Sequence, residues 1–276
     1  MLCLHLYAEP AASTLDVEQL ARYARMTFAG LEVDIRDSLL EQYLASVLEP
    51  ERPDALGRLA HSFAAAKVRH PLRQNDDFPA LPGEVDYERR RLSQPLSHSF
   101  GLLYDGHRLM RSLWSLVPSP ERNLGHVHVV FTNQLVGTWD EADRRYHARV
   151  SIYGFPSLLS TTGLVEAPAK PREFYLLRQR YAALGLDDAA ELALATELKD
   201  RFIEHDDDRL TEVMKGYLAQ ALAFHLWGDP FCPDRHCRLY NAHWQEEVIR
   251  SQLQSGEFCS VHQRRLAELI SVIPSP

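Results

Sequence analysis

The segments Cys232-Pro233-Asp234-Arg235-His236-Cys237 and Cys259-Ser260-Val261-His262 hold three of the four cysteines in this 276-residue chain. Each segment offers two metal-ligating side chains from a single turn, and we expect a helix over residues 242–253 to fold the two pairs together. Three thiolates and one imidazole make a closed tetrahedral shell, which is typical of a structural zinc rather than a catalytic one. The sequence therefore predicts one structural Zn²⁺ bound by Cys232, Cys237, Cys259 and His262.

Two alternatives to this zinc site stay open. The first is that the three cysteines are small buried residues and that His262 is a surface histidine. The second is that His236 or His243 replaces His262 as the fourth ligand, although the two-residue spacing from Cys259 favours His262.

The composition excludes several classes of protein. The chain is 45% hydrophobic and 25% charged, and its net charge of −8 gives no general attraction to nucleic acid or anionic membranes. No stretch reaches the roughly 18 apolar residues of a membrane helix, and the start of the chain lacks the basic leader of a signal peptide. We therefore expect a cytoplasmic protein with reduced thiols and no membrane partner.

The zinc-binding segment itself also argues against a nucleic-acid module. Its basic and acidic residues are nearly balanced: Arg235, Arg238, Arg250, Arg264 and Arg265 against Asp234, Glu246, Glu247 and Glu257. Binding to a phosphate backbone depends on a local excess of positive charge, so we expect no nucleic-acid partner.

The hydrophobic pattern of the remaining chain predicts an α/β (α+β) fold, in which helices cover a mixed sheet. A strand over residues 2–7, a helix over 17–28 capped by Asp16 and a strand over 31–35 form a βαβ unit. Further strands are expected over 127–132 and 146–154, and further helices over 38–48, 53–67, 97–116, 187–203 and 209–226. Because neither repeats nor low-complexity linkers interrupt the chain, we expect a single domain over 1–276 with a zinc-binding subregion over 227–276.

Several polar segments could bind ligands, but simpler interpretations are favoured. Glu88-Arg89-Arg90-Arg91 could form an anion site, yet no aromatic residue interleaves with it, so a solvated loop or helix face is favoured. Ser160-Thr161-Thr162-Gly163 could line a cleft, but a plain turn is expected there, and residues 137–141 are also turn-like. His205-Asp206-Asp207-Asp208 lacks the spacing of a calcium loop, and Asp208 is expected to cap the next helix.

The two cysteine segments and the helix before them resemble the archaemetzincins, a family of zincin-fold metallopeptidases. The family motif is H-E-x-x-H-x-x-G-x-x-H-C-x4-C-x-M, followed later by C-x2-C for a structural zinc. The matching positions are His225 and Gly228, the pair Cys232 and Cys237, and the pair Cys259 and His262, with histidine in place of the last cysteine. The resemblance covers about the last 60 residues. It implies a zincin-like fold closed by a C-terminal zinc knot.

The departures from this motif decide the functional prediction. The first histidine, the glutamate, the third histidine and the methionine are replaced by Ala221, Leu222, Phe231 and Leu239. A catalytic zinc of this type needs three protein ligands and a glutamate base, and these apolar side chains provide neither. His225 lies on an otherwise apolar helix face, so we expect it to be a hydrogen-bonded core residue.

We therefore expect an archaemetzincin-like zinc-binding protein that has lost peptidase chemistry and binds a peptide, a protein or a small ligand in the residual cleft. The catalytic residues are unknown, since His225 alone matches the catalytic motif. The alternative is an active zinc metallopeptidase or hydrolase with non-standard ligands, in which His126, His128 or His147 joins His225. One bound zinc per chain supports the binding protein, whereas two support the enzyme.

Overall fold

A five-stranded sheet organises the chain, which the computed structural model describes at residues 2–8, 12–75, 79–94, 101–186, 194 and 196–271. Its strands are β1 (Leu2–Ala8), β2 (Leu31–Arg36), β4 (His126–Thr132), β7 (Ser151–Ile152) and β8 (Ser157–Ser160). Their order in the sheet is β2-β1-β4-β8-β7. The first four are parallel, and β7 runs antiparallel to β8. The fold class is therefore the predicted mixed α/β arrangement.

The connection between β1 and β2 is the predicted βαβ unit. Its helix α1 (Val17–Thr27) begins at Asp16, whose carboxylate accepts a hydrogen bond of 2.8 Å from the backbone N–H of Gln19. This contact satisfies one of the amide groups that the first helical turn leaves without a partner. The local sequence signals are therefore enough to place this unit.

A second sheet corrects two of the predictions. It consists of β3 (Leu103–Asp105), β5 (Leu135–Asp140) and β6 (Arg145–Arg149), with β5 paired to both neighbours. The expected helix over 97–116 is wrong at β3, helix α5 (Gly106–Trp114) begins after that strand, and residues 97–100 lie outside the described part of the chain. Residues 137–141 are not simply a turn, because β5 extends to Asp140. Pairing with a neighbouring strand, β5 for the first segment and β3 and β6 for the second, overrides the local pattern at both places.

The two faces of the five-stranded sheet differ in chemistry because side chains alternate along each strand. Leu4 and Leu6 lie on the first face, which packs against α1 and α8 (Leu210–Trp227) in the larger core. On the second face, Tyr7 packs with α5, α2 (Leu39–Ser46) and α3 (Arg52–Ala66) in a smaller core. His5 and His128 lie on the same face of the sheet as Tyr7, two residues before Tyr7 and Val130 on their strands.

The other helical segments surround these two cores. They are α4 (Pro82–Ser93), α6 (Thr161–Glu166), α7 (Arg172–Ala183), α9 (Gln245–Val248) and α10 (Ser260–Ser271), with short 3₁₀ turns at Glu49–Glu51 and Ser119–Glu121. The helix expected over 242–253 is α9 followed by a π-helical segment, Ile249–Ser255. Within the described ranges, no helix combines the length and apolar character needed to cross a bilayer.

Three segments singled out in the sequence adopt other structures. Ser160 caps α6 by accepting a hydrogen bond from Gly163 N–H, so the expected polar turn is a helix start. The strand expected over 146–154 is divided into β6 and β7. The expected cap at Asp208 is wrong, because α8 begins one residue later with Arg209 at its cap position, and Asp207 accepts the Arg209 N–H instead.

The helix expected over 187–203 falls partly outside the described residues. Residues 187–193 and 195 lie outside them, Leu194 and residues 196–197 are helical as expected, and residues 198–202 form turns and bends rather than a helix. The side chain of Phe202 packs in a small apolar cluster with Phe174, Leu194 and Leu198.

The charged segment Glu88–Arg91, which lies on α4, is exposed to solvent only in part. Glu88 is fully buried, where it pairs with Lys67 at 2.8 Å and Arg91 at 2.7 Å and accepts a hydrogen bond from the Tyr104 hydroxyl. Arg89 and Arg90 are exposed. The expected solvated face is therefore wrong at Glu88, because α4 turns this residue toward α3 and β3.

Candidate metal centres

The four side chains that the spacing selected as zinc ligands lie together in the structure. Cys232 and Cys237 flank a loop that is held by the hydrogen bond from Cys232 N–H to Leu239 O. Cys259 directly precedes α10, and His262 lies in the first turn of that helix. One potential ligand atom of each residue lies within 4.8 Å of every other.

The distances within this cluster suit a tetrahedral ion. The Sγ atoms of Cys232 and Cys259 are 3.8 Å apart, and His262 Nδ1 lies 3.7 Å from Cys237 Sγ and 3.2 Å from Cys259 Sγ. With Zn–S bonds of about 2.3 Å, the sulfur–sulfur edge of a tetrahedron is about 3.8 Å. Three sulfurs and one nitrogen therefore match a closed zinc shell in both donor type and separation.

Burial keeps two of the thiol groups protonated until a cation binds. Burial raises the pKa of Cys237 to about 12, and burial likewise raises the pKa of Cys232. Backbone N–H groups of Asp234 and Cys259 point at the sulfurs of Cys232 and Cys237, each at 3.5 Å. Because a thiolate is the ligand, metal binding must displace the thiol protons, and these N–H groups then stabilise the charged sulfurs.

Arg238 ties this cluster to α8. Its guanidinium donates to Glu212 Oε1 at 2.8 Å and to the Gly256 carbonyl at 2.6 Å, and the residue is almost fully buried. Gln252, in the π-helical segment, donates to the Arg238 carbonyl. The cluster is therefore built on a loop that is anchored to the long helix of the larger core.

Helix α8 occupies the motif region that would hold a catalytic zinc, and its residues provide few donors. Ala221 and Leu222 are both 0% exposed in the larger core. His225 is half-buried, and its Nε2 lies 2.9 Å from the carbonyl oxygen of Leu124. The ring is thus hydrogen-bonded to the backbone, as expected, although it lies at the edge of the core rather than inside it.

A cluster of aromatic side chains extends from His225. The Phe155 ring lies 5.8 Å from the His225 ring, and the Tyr153 ring lies 5.9 Å from the Phe231 ring. Phe155 and Phe231 remain 39% and 37% exposed. We call the set Tyr153, Phe155, Phe224 and Phe231 the aromatic patch.

The histidines proposed to rescue the lost ligands do not gather around His225. Within the described part of the chain, His225 belongs to no group of three metal-ligating side chains. His147 pairs with Asp143 at 2.9 Å. His126 and His128 instead lie beside His5, in a second cluster that the sequence interpretation missed.

This second cluster lies on the second face of the five-stranded sheet, the face that also carries Tyr7. His5 of β1 is directly opposite Asp34 of β2 and His128 of β4 in the strand register. Ligand atoms of His5, Glu121 and His128 lie within 4.8 Å of one another. The alternation His126-x-His128 on one strand was the available signal, whereas His5 and Glu121 are distant in sequence.

The hydrogen bonds of the second cluster centre on Arg36. Its guanidinium contacts both carboxylate oxygens of Glu121, at 2.7 and 2.8 Å, and Asp34 Oδ2 at 2.6 Å. Hydrogen bonds from Arg36 lower the pKa of Glu121. Burial lowers the pKa of His128 to about 4 and also lowers the pKa of His5. Near neutral pH the imidazoles of His5 and His128 are therefore neutral, and the carboxylate of Glu121 is charged.

Two solved structures are similar to the chain. The chain is similar to the crystal structure of archaemetzincin from Methanopyrus kandleri, with 12% identity and a TM-score of 0.46 over 98% of this chain and 96% of that chain. It is also similar to a zinc-dependent peptidase from Methanocorpusculum labreanum, with 12% identity and a TM-score of 0.45 over 95% of this chain and 99% of that chain. No curated protein matches the sequence.

The family comparison covers almost the whole sequence. The model of a family described as "Probable metallopeptidase family (DUF6775)" matches residues 1–269. This match extends the relation to metallopeptidases, predicted from the last 60 or so residues, to nearly the full chain. The chain therefore belongs to the Probable metallopeptidase family (DUF6775).

Proposed function

We propose that this member of the family is a non-catalytic, zinc-stabilised protein that binds a peptide or protein partner. It holds one structural zinc through Cys232, Cys237, Cys259 and His262. The closed Cys₃His shell supports a structural role, because four protein ligands leave no position for a reacting water.

The observation that carries the proposal is the chemistry of α8. Ala221 and Leu222, at the positions of a ligand and the general base, are buried among apolar side chains. Hydrolysis by a zinc peptidase needs a polarised water and a group that takes its proton. Neither side chain has a polar atom, and His225 already contacts a backbone carbonyl.

The aromatic patch is the surface that we assign to the partner. Phe155 and Phe231 are exposed, the Phe155 ring lies against His225, and Phe231 stands at the position that the motif gives to the third histidine ligand. Exposed aromatic side chains favour binding because they bury a large apolar area while losing little side-chain entropy. We therefore propose a partner segment that inserts an apolar or aromatic side chain here.

Two measurements on the purified full-length protein test this proposal. The first is a peptide-hydrolysis assay with zinc present, in which we expect no cleavage above background for the wild type or for His225→Ala. The second is selection from a peptide library, in which Phe231→Ala and Phe155→Ala should weaken binding. Leu176→Ala, which changes another exposed apolar side chain, is the matched control. Zinc-dependent cleavage that His225→Ala abolishes would overturn the proposal.

The alternative is hydrolysis with non-standard ligands, and one observation favours it. His5, His128 and Glu121 form a set of two imidazoles and a carboxylate, a donor set that also occurs in catalytic zinc sites. Under this alternative, peptide cleavage is lost in His128→Gln and unchanged in His225→Ala. The same assay thus separates the two functions.

A further inference from the structure

We propose that His5, Glu121 and His128 form a second metal site, which binds a divalent transition-metal ion such as Zn²⁺ or Co²⁺. It lies on the opposite face of the sheet from α8 and does not depend on the proposed function. Two nitrogens and one carboxylate oxygen are donors that ions of this class accept.

The backbone fixes the two histidines as neighbours. His5 and His128 are direct partners in adjacent parallel strands, so both side chains project from the same face. Their ring centroids lie 4.8 Å apart, and the residues are only 4% and 2% exposed. The donor atoms are therefore held by buried, regular structure rather than by a mobile surface loop.

The hydrogen bonds around the two rings determine which nitrogen of each histidine can bind an ion. His5 Nδ1 lies 3.3 Å from Asp34 Oδ2, and His128 Nδ1 lies 2.9 Å from the Tyr7 hydroxyl. Partners of this kind orient metal-binding histidines and fix the proton on the nitrogen that does not ligate. Donation from Nδ1 to Asp34 leaves a lone pair on Nε2 of His5. His128 Nε2 lies 3.3 Å from the carbonyl oxygen of Glu121, which accepts its proton, so binding of an ion shifts the ring proton of His128 to Nδ1, where the Tyr7 hydroxyl accepts it.

His126 indicates where the lone pair of His5 points. Its Nδ1 lies 2.8 Å from His5 Nε2, so in this arrangement the His126 ring donates a proton to the lone pair that would bind the ion. His126 is only partly buried and can turn toward solvent. A cation can therefore take the place of that proton without disturbing the buried rings.

The positive charge of Arg36 repels a cation, but the two carboxylates beside it carry more negative charge than Arg36 carries positive charge. Asp34 and Glu121 supply two negative charges against the single positive charge of Arg36, which leaves the cluster with an excess of one negative charge. Each Glu121 oxygen keeps a second lone pair while Arg36 holds the first. The Glu121 side chain is 20% exposed, which gives an ion a route from solvent.

Cobalt titration of the native zinc-containing protein tests this site. We expect one further equivalent of Co²⁺ to bind without thiolate-to-cobalt charge-transfer absorption, because the second cluster contains no sulfur. His128→Gln should lose this equivalent, and His225→Gln, a histidine outside both clusters, should retain it. Tyr7→Phe removes only the orienting hydroxyl and should weaken the affinity by about 10- to 100-fold.

The outcomes that overturn the site are equally definite. One is wild-type protein that binds no cobalt beyond the Cys₃His site; another is binding that is unchanged in both His128→Gln and Tyr7→Phe. Far-ultraviolet circular dichroism establishes that each variant is folded, and X-ray absorption of the wild-type complex should show only nitrogen and oxygen ligands. Failure of this site leaves the proposed partner binding untouched, because that function is measured at the aromatic patch.

Discussion

The Sγ atoms of Cys232 and Cys259 lie 3.8 Å apart, close to the edge of a zinc-centred tetrahedron and far from the roughly 2.0 Å of a disulfide bond. With Cys237 and His262 they bring together two segments that are separated by 21 residues in the chain. A metal ion bound by these four residues would link α10 to the loop that is anchored on α8.

Replacement of Cys237 by serine should release the zinc and destabilise the fold. The variant removes a buried ligand and opens the closed shell, so the metal's contribution to folding is lost. We expect the melting temperature to fall by at least several degrees, since each kcal/mol corresponds to about 2–4 °C in a chain of this size. Cys3→Ser, at the cysteine outside the cluster, is the matched control and should keep both zinc and stability.

A side chain at Gly216 should disturb the contact between α8 and the π-helical segment. A Cβ atom built at Gly216 would lie 1.8 Å from the Gln252 side-chain oxygen. Overpacking of this kind costs about 1–3 kcal/mol, so Gly216→Ala should lower the free energy of unfolding by that amount. Gln252→Ala in the same chain should recover part of the loss, because it removes the clashing atoms.

Gly57 provides the control for this prediction. It also lies within a helix, α3, but a Cβ atom there would meet nothing within 4 Å. Gly57→Ala should therefore stabilise the protein by up to about 1 kcal/mol. Urea unfolding of both variants measures the change in the free energy of unfolding, which should fall for Gly216→Ala and rise for Gly57→Ala. Equal changes in the two variants would contradict the packing explanation.

Introduction of a glutamate at position 222 should unfold part of the population rather than restore peptidase chemistry. Leu222 is 0% exposed, and a carboxylate placed among its apolar neighbours has no partner. We expect a loss of more than about 3 kcal/mol, in the range that buried unpaired charges produce. Phe231→His, at an exposed motif position, should be tolerated within about 0.5 kcal/mol. Thermal melts of both variants measure this difference.

Acid should remove the contribution that Asp207 makes to the free energy of unfolding. Burial opposes ionisation of this carboxyl group, but hydrogen bonds from the Arg209 side chain and backbone hold its pKa below the ordinary value. The folded state therefore binds its proton at lower pH than the unfolded chain does. The stabilisation is complete above about pH 4 and is lost as the pH falls through the lowered pKa.

Asp207→Asn tests the sign of that effect. The variant should be less stable than the wild type at pH 7, and the difference should shrink between about pH 4 and pH 2. Denaturant unfolding over this range measures it. A difference that stays constant with pH would assign the contribution of Asp207 to geometry rather than to charge.

Local sequence was sufficient for the elements that depend on local forces. Asp16 placed the start of α1 because an N-cap satisfies amides within the same turn. The same reasoning failed at Asp208, where Asp207 takes the contact with Arg209, and at residues 137–141, where pairing with β6 extends β5. Glu88 was missed for a related reason, since its partner Lys67 lies on the segment that follows another helix.

The sequence by itself determined the βαβ unit, the four side chains of the Cys₃His cluster and the apolar residues at the motif positions of α8, because each depends on short spacings along the chain. Tertiary structure alone decided that the side chains of His5, Glu121 and His128 lie next to one another. His5 and His128 are 123 positions apart, and the register of two parallel strands makes them neighbours. That register is set by the burial of the opposite, apolar face of the sheet, which no local pattern around either histidine contains.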